Sequence, residues 1–360
     1  MITIRQRLGK IKYSRAKTRI LKRGLKKRRR TSSSNAATPA HFNNNEQKMI
    51  GQASVAFNQG FDTGYDEAWT KAMQMMTMES IPHKEETKHS DDEYKKGLYD
   101  GGEGIVDSIL PDFEILPEIP VRKIIEAGMK QMSSQYFRLL GTSEIAGQIK
   151  NALSEHRPLS VIRLGDGELL TLAQSIVMIE EDVRKEGHFL SYSGVELPDL
   201  EARDMLAAAI RKADIVGIPK LRLSNFQPLA FSVLKAHRIN YRKLKLTLST
   251  INYALQFEGY FRGMLEGYRV LIVGNSAQEL SKVLQDSGVH VTGVVTPVKG
   301  MRDIPRVMDE ISSAPEFDIA LVGAGIPAVV IVQRIASELG KVAFDFGHLA
   351  DSLVQGETAL

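Results

Sequence analysis

The residues best equipped for chemistry lie in one short run, Ser160-Val161-Ile162-Arg163-Leu164-Gly165-Asp166-Gly167-Glu168. An apolar segment delivers an arginine and then two carboxylates one residue apart. In an extended turn both acids can aim at one hard cation. Oxygen donors of this kind suit Mg²⁺ or Mn²⁺, which keep several waters and complete their shell with substrate phosphates. Gly165 and Gly167 let the backbone come close to a ligand or take positive φ. The competing reading is a polar turn in which Asp166 merely caps the helix that follows. Arg163 is a candidate bidentate phosphate fork, or else an ion-pair partner that holds Asp166 or Glu168 in place.

Three further loops carry chemistry-bearing residues: Gly274-Asn275-Ser276, Gly323-Ala324-Gly325 and Asp345-Phe346-Gly347-His348. The first two each precede a helical pattern, so their backbone amides form natural anion sites. Neither continues as the dinucleotide fingerprint Gly-x-Gly-x-x-Gly, which disfavours a nicotinamide or flavin cofactor. The phosphate-loop ending Gly-Lys-Ser or Gly-Lys-Thr is absent as well. His348 is a candidate for binding a diphosphate oxygen, moving a proton or ligating metal, and Asp345 shares the ambiguity of Arg163.

What must position these loops is an alternation of strand and helix. Strands are expected at 159–163, 214–218, 245–248, 268–273, 290–295, 318–322 and 342–345. Helices are expected at 142–154, 169–175, 198–212, 226–237, 251–265, 277–287, 304–312 and 327–339, with Pro327 in a first turn where its missing N–H costs nothing. Near-continuous apolar strands alternating with helices predict an α/β fold with a mostly parallel sheet covered on both faces. In such sheets ligands bind where loops leave the carboxyl ends of strands, and all four loops do so.

The chain has 360 residues and no cysteine, which excludes disulfides, thiolate metal sites and Cys nucleophiles. No apolar signal core or spanning segment is evident, so a cytoplasmic, soluble protein is expected. The net charge of +4 hides an asymmetry: residues 1–30 hold fourteen Lys and Arg and no acid, leaving 33 bases against 43 acids in the rest. This arm suits peripheral contact with an anionic membrane surface, which would place the protein at the inner face of the membrane. It lacks the interleaved aromatics that base stacking needs, so nucleic acid is not the expected partner.

The organisation is therefore a disordered basic arm and flexible linker over 1–45, a helical appendage over 46–140, and an enzyme-like unit over 141–360. The appendage carries a weak repeat, Phe57-x-x-Gly60-x-x-x-Gly64 and Tyr94-x-x-Gly97-x-x-x-Gly101. Glycines four apart allow close helix approach, which makes a homo-oligomer a candidate state.

The segment Ile162 to Glu168, the strand Val270 to Gly274, Gly323-Ala324-Gly325 and the terminal Asp345-Phe346-Gly347-His348 together resemble the GT-D-type glycosyltransferases over about residues 142–352. In that family an Arg-x-Gly-Asp-Gly-Glu segment carries an Asp-x-Glu metal motif, and a terminal Asp-x-Gly-His closes a Rossmann-like domain. The resemblance implies metal-dependent transfer of a sugar, glucose being one candidate, from a nucleotide-diphosphate donor to an acceptor hydroxyl. A UDP-sugar is the favoured donor and a glycan or glycoprotein the acceptor. It places Mn²⁺ or Mg²⁺ on Asp166 and Glu168, with Arg163 and Gly165 shaping the diphosphate pocket beside Gly274, Asn275, Gly323 and Gly325. Asp345, His348 and Asp351 are the candidates for acceptor base. Family members often continue with further acids after the His, whereas here Asp351 is the only one before Ser352. Two other readings compete: a non-catalytic sugar-nucleotide scaffold localised through its helices and arm, and a metal-dependent phosphotransfer enzyme or nucleotide hydrolase.

Overall fold

The computed structural model describes residues 96, 97, 99–223 and 225–360. The basic arm, the linker and the first Gly-spaced helix lie outside these residues. Of the expected appendage, a helical turn at Tyr99–Glu103 and helices α1 (Gly104–Ile109) and α2 (Val121–Gln131) are described, and none of them buries a residue. Helix α2 stops at Gln131, so the helical appendage expected over 46–140 is not helical to its end; an extended segment follows the short Ser133–Gln135 turn.

From there the alternation runs α3 (Thr142–Ser154), β1 (Leu159–Arg163), α4 (Asp166–Ala173), α5 (Glu180–Glu186), α6 (Leu200–Lys212), β2 (Ile215–Ile218), α7 (Gln227–Ala236) and β3 (Lys245–Leu248). It continues with α8 (Ile251–Phe257), α9 (Tyr260–Leu265), β4 (Arg269–Gly274), α10 (Ala277–Asp286), β5 (His290–Val295), α11 (Ile304–Ser313), β6 (Ile319–Gly323), α12 (Pro327–Leu339), β7 (Val342–Asp345) and α13 (Leu349–Val354). The single helix expected over 251–265 is two, because Gly259 takes a left-handed φ of 71° between them. Helices α5 and α13 were not foreseen.

The seven strands form one parallel sheet in the order β3-β2-β1-β7-β6-β4-β5. Alternate strand residues face opposite layers, as the two-residue period of a strand requires. Ile162, Ala320, Val322 and Leu271 pack with α4, α6, α7, α11 and α12. Val161, Val270, Leu321 and Phe344 pack with α3, α8, α9, α10 and α13. Helix α12 lies across β1, β7 and β6 and buries nine of its thirteen residues. Among the described residues no helix is long and apolar enough to cross a membrane.

The order matters for function. The first half of the chain builds outward from β1 to β3, and the last strand returns to lie beside β1. Strands β1 and β7 therefore flank the point where the winding reverses, and sheets of this kind bind their ligands at the carboxyl ends of the strands there.

Candidate active site at the carboxyl edge of the sheet

Because all seven strands are parallel, the loops after β1, β4, β6 and β7 leave the same edge. They also touch. The carbonyl of Gly323 crowds Gly274, where any Cβ would lie 2.1 Å from it, and Gly323 in turn faces Gly347 and Ala350. The Ser276 hydroxyl donates to Asp351. Asn275, outside the sheet edge, accepts the backbone N–H of Val298 at 2.8 Å and so ties in the loop after β5.

At the centre lies an ion pair between the ends of β1 and β7. Arg163 Nη2 donates to Asp345 Oδ1 at 3.0 Å and its Nε to the Asp345 carbonyl at 2.9 Å, while the Arg163 backbone N–H reaches Asp345 Oδ2 at 3.2 Å. Nη1 completes the fixation on the Ser249 carbonyl at 3.0 Å and Asn252 Oδ1 at 3.3 Å. Asn252, fully buried at the start of α8, donates onward to the Phe346 carbonyl at 2.9 Å. Burial pushes the Asp345 carboxyl above its ordinary range, and Arg163 pulls against that rise. The guanidinium is thus engaged with Asp345 rather than with Asp166 or Glu168. Ser249 and Asn252 went unnoticed in the sequence, although the polar run Ser249-Thr250-Ile251-Asn252 also follows a strand at this edge.

Gly347 sits at φ 55°, and a Cβ there would lie 1.8 Å from Arg163 Nη2. A left-handed non-glycine residue alone costs about 1–2 kcal/mol. Gly340, at φ 67° with open space around it, supplies the control. We expect Gly347→Ala to lower stability by about 3 kcal/mol and Gly340→Ala by only about 1 kcal/mol. Urea melts of the two variants make the comparison, and equal losses would show that the guanidinium yields freely.

The two acids adopt a tighter arrangement than the extended turn expected of them. Helix α4 begins at Asp166, three residues before its apolar pattern, with Gly165 as N-cap. Glu168 Oε2 accepts the Gly165 N–H at 2.7 Å, and Asp166 Oδ1 accepts the Gly167 N–H at 2.8 Å. Both are half-buried in the first turn, where the helix dipole favours negative charge. Burial, and then the charge of Asp345 ahead of that of Asp166, pushes the Glu168 carboxyl up to about 7.

A raised carboxyl pKa has a signed consequence. The folded state holds the Glu168 proton more tightly than the unfolded chain, so stability falls as pH rises from the ordinary carboxylate range through about 7. The loss amounts to at most about 3 kcal/mol. Gln keeps an oxygen that accepts the Gly165 N–H but cannot ionise. In metal-free buffer Glu168→Gln should therefore melt above the parent at pH 8 and with it near pH 4.5; a constant offset across that range would contradict the assignment.

His348 is exposed at the start of α13, and Asp351 is half-buried one turn on. One stretch without an expected role also reaches this edge. Residues 187–198, following α5, bring Phe189 against Gly167 and the Ser193 carbonyl beside Gly325, and Gly194 accepts the Met301 N–H at 3.0 Å.

With this geometry in view, a family model described as a GT-D fold-like domain matches residues 140–353. No curated protein matches the chain. Among solved structures, a DUF1792 glycosyltransferase from Streptococcus sanguinis is 15% identical, with a TM-score of 0.42 over 62% of this chain and 87% of its own. A domain of unknown function 1792, described as having a distinct glycosyltransferase fold, is 18% identical with a TM-score of 0.43 over 64% and 85%. The family match takes in every strand of the sheet and well over half of the chain, from the turn before α3 to the end of α13, and on it this protein belongs to the GT-D-like family of glycosyltransferase folds.

Proposed function

We propose that the protein moves a sugar from a nucleotide-diphosphate donor to an acceptor hydroxyl in a divalent-metal-dependent reaction. The observation that carries this reading is the meeting, on adjacent strands at the reversal point of the sheet, of the Arg163-to-Glu168 segment with Asp345-Phe346-Gly347-His348. A UDP-sugar is the favoured donor, with glucose one candidate sugar and a glycan or glycoprotein the acceptor.

The donor groups fit a hard cation that leans on its substrate. Asp166 and Glu168 present oxygen donors within one helical turn, and burial, followed by the charge of Asp345, raises the Glu168 carboxyl. Among the described residues no group of three or more His, Asp or Glu suited to a metal occurs. Mg²⁺ and Mn²⁺ suit a two-carboxylate site, because waters and substrate phosphates supply their remaining ligands. When bound, such an ion acts as a Lewis acid that neutralises charge on the departing diphosphate.

The chain's own residues supply the rest. The backbone at Gly274 and at Gly323 to Gly325, at the starts of α10 and α12, offers amides to the donor's phosphates. Gly165 lets the β1 loop approach them. Asp345 is committed to Arg163 and holds the two strand ends in register, so the acceptor proton falls to His348 or Asp351, the latter positioned by Ser276. In this reading the protein is cytoplasmic, held at the inner membrane surface by residues 1–30.

The experiment is mass analysis of products formed from a panel of nucleotide sugars with and without Mn²⁺, paired with calorimetric titration of the same donors. Metal-dependent donor binding and a glycosylated product are expected. Nucleotide hydrolysis without transfer to any acceptor, or no metal-dependent binding, would overturn the reading.

A further inference from the structure

The opposite edge of the sheet carries a second concentration of chemistry. Helix α7 starts at the carboxyl end of β2 and runs back, so its last turn and the link to β3 lie at the amino-terminal edge, where His237 Nε2 meets the Leu172 carbonyl in the last turn of α4 rather than the acids of its first turn. Between Asp214 and Glu258 the chain has no acid, yet it holds seven Lys and Arg, five of them between Lys235 and Lys245. Lys235, Arg238, Arg242, Lys243 and Lys245 are all exposed. Among the described residues none of the five enters an ion pair. Asp204, the acid lying in the field of Arg211 and His237, is itself bonded to Arg203.

Two of these cations, Lys235 and Arg238, line a concavity, and Arg242 lies against a ring that helps to form it. Phe231, Lys235, Arg238, Ile239, Asn240 and Tyr241 line a cavity of about 530 Å³. Its floor is rigid: the Phe231 and Tyr241 rings meet edge to face at 4.9 Å, Phe137 packs on Tyr241 at 5.6 Å, and the Arg242 guanidinium lies over the Tyr241 ring at 5.1 Å. The Asn240 side chain fixes the turn by accepting the Arg242 N–H. The segment arriving through Phe137 exposes Ile115, Ile119, Ile125, Met129, Met132 and Tyr136. Pockets of this volume with an apolar floor and a few polar groups at the rim are ordinary ligand sites. A floor of aromatic and aliphatic carbon beneath unpaired Lys and Arg selects a ligand that is anionic at one end and apolar at the other.

We propose that this cavity is a second binding site, separate from the sugar-transfer site, for a phosphate-bearing group attached to an apolar body. Lys235 and Arg238 meet the phosphate, and Phe231, Ile239 and Tyr241 cover the apolar part. The chemistry is shared by an anionic lipid headgroup and a soluble organic phosphate, and the exposed side chains of Met132 and Tyr136, shortly before Phe137 in the chain, favour the lipid.

The test is hydrogen exchange on the full chain, read in peptides spanning 231–245 so that contacts of residues 1–30 do not contribute. Four probes are used: phosphatidylglycerol vesicles, phosphatidylcholine vesicles, hexyl phosphate and a short oligonucleotide duplex. Phosphatidylglycerol should slow exchange in these peptides at least about fivefold and phosphatidylcholine should not. Protection by hexyl phosphate as well would identify a soluble ligand of the same chemistry. Lys235→Glu with Arg238→Glu should abolish the protection, and the milder Lys235→Gln with Arg238→Gln, which avoids the charge reversal, should reduce it to less than about twofold. Equal protection by neutral vesicles, protection untouched by either variant, tighter engagement of the duplex, or no protection by any probe would overturn the site. None of these outcomes depends on catalysis, so the sugar-transfer reading stands or falls separately.

Discussion

Asp345→Ala is expected to cost roughly 3–5 kcal/mol of stability, the largest single loss at this site, because it strands the Arg163 guanidinium where water cannot reach it freely. The carboxylate receives Nη2 and the Arg163 backbone N–H, Nε donates to the Asp345 carbonyl, and Nη1 points at Ser249 and Asn252. Removing the anion leaves the cation desolvated without compensation, which costs more than the pair itself contributes. A double variant that removes both charges, Arg163→Met with Asp345→Leu, should recover a large part of the loss for the same reason. Urea denaturation of the two single variants and the double variant measures the coupling. Simple additivity of the single losses would contradict a shared buried pair.

Asp166→Ala should do the reverse, removing activity while sparing the fold. Loss of a carboxylate at a cation contacting the donor diphosphate forfeits several kcal/mol of transition-state stabilisation, and about 4 kcal/mol corresponds to about a 10³-fold fall in metal-stimulated turnover. Stability should change by no more than about 1 kcal/mol, the usual worth of a negative charge in a helix's first turn. Asp166 is half-buried, and its bond to the Gly167 N–H lies within its own turn. Turnover of a nucleotide-sugar donor over a range of Mn²⁺ concentrations, alongside thermal melts, separates the two effects. A variant that keeps parental turnover in the presence and absence of chelator would remove Asp166 from the metal site.

The contrast between these two carboxylates was only half legible in the chain. Both come at the end of an apolar strand with glycine within two residues, and nothing in their neighbourhoods says that one is locked in an ion pair while the other sits in the first turn of a helix. The start of α4 was hidden for a related reason. A capped helix start is most readily identified when Ser or Thr stands three residues before Glu, and here glycine occupies that place, so the apolar spacing alone starts the helix at Leu169. The break at Gly259 was missed because the apolar spacing continues through it, although the backbone does not.

By itself the sequence determined the alternation of strands and helices, the parallel arrangement of the sheet and the loops that share its carboxyl edge. Those follow from local quantities: apolar runs long enough to be buried on both faces, helical spacing between them, and proline and glycine at the boundaries. Strand order was decided only in the folded chain. The return of β7 to the side of β1 brings together Arg163 and Asp345, 182 residues apart, and with them Asn252 and Gly347. Lateral order depends on how helices such as α12 fill the space across several strands at once, a packing property that no local spacing encodes.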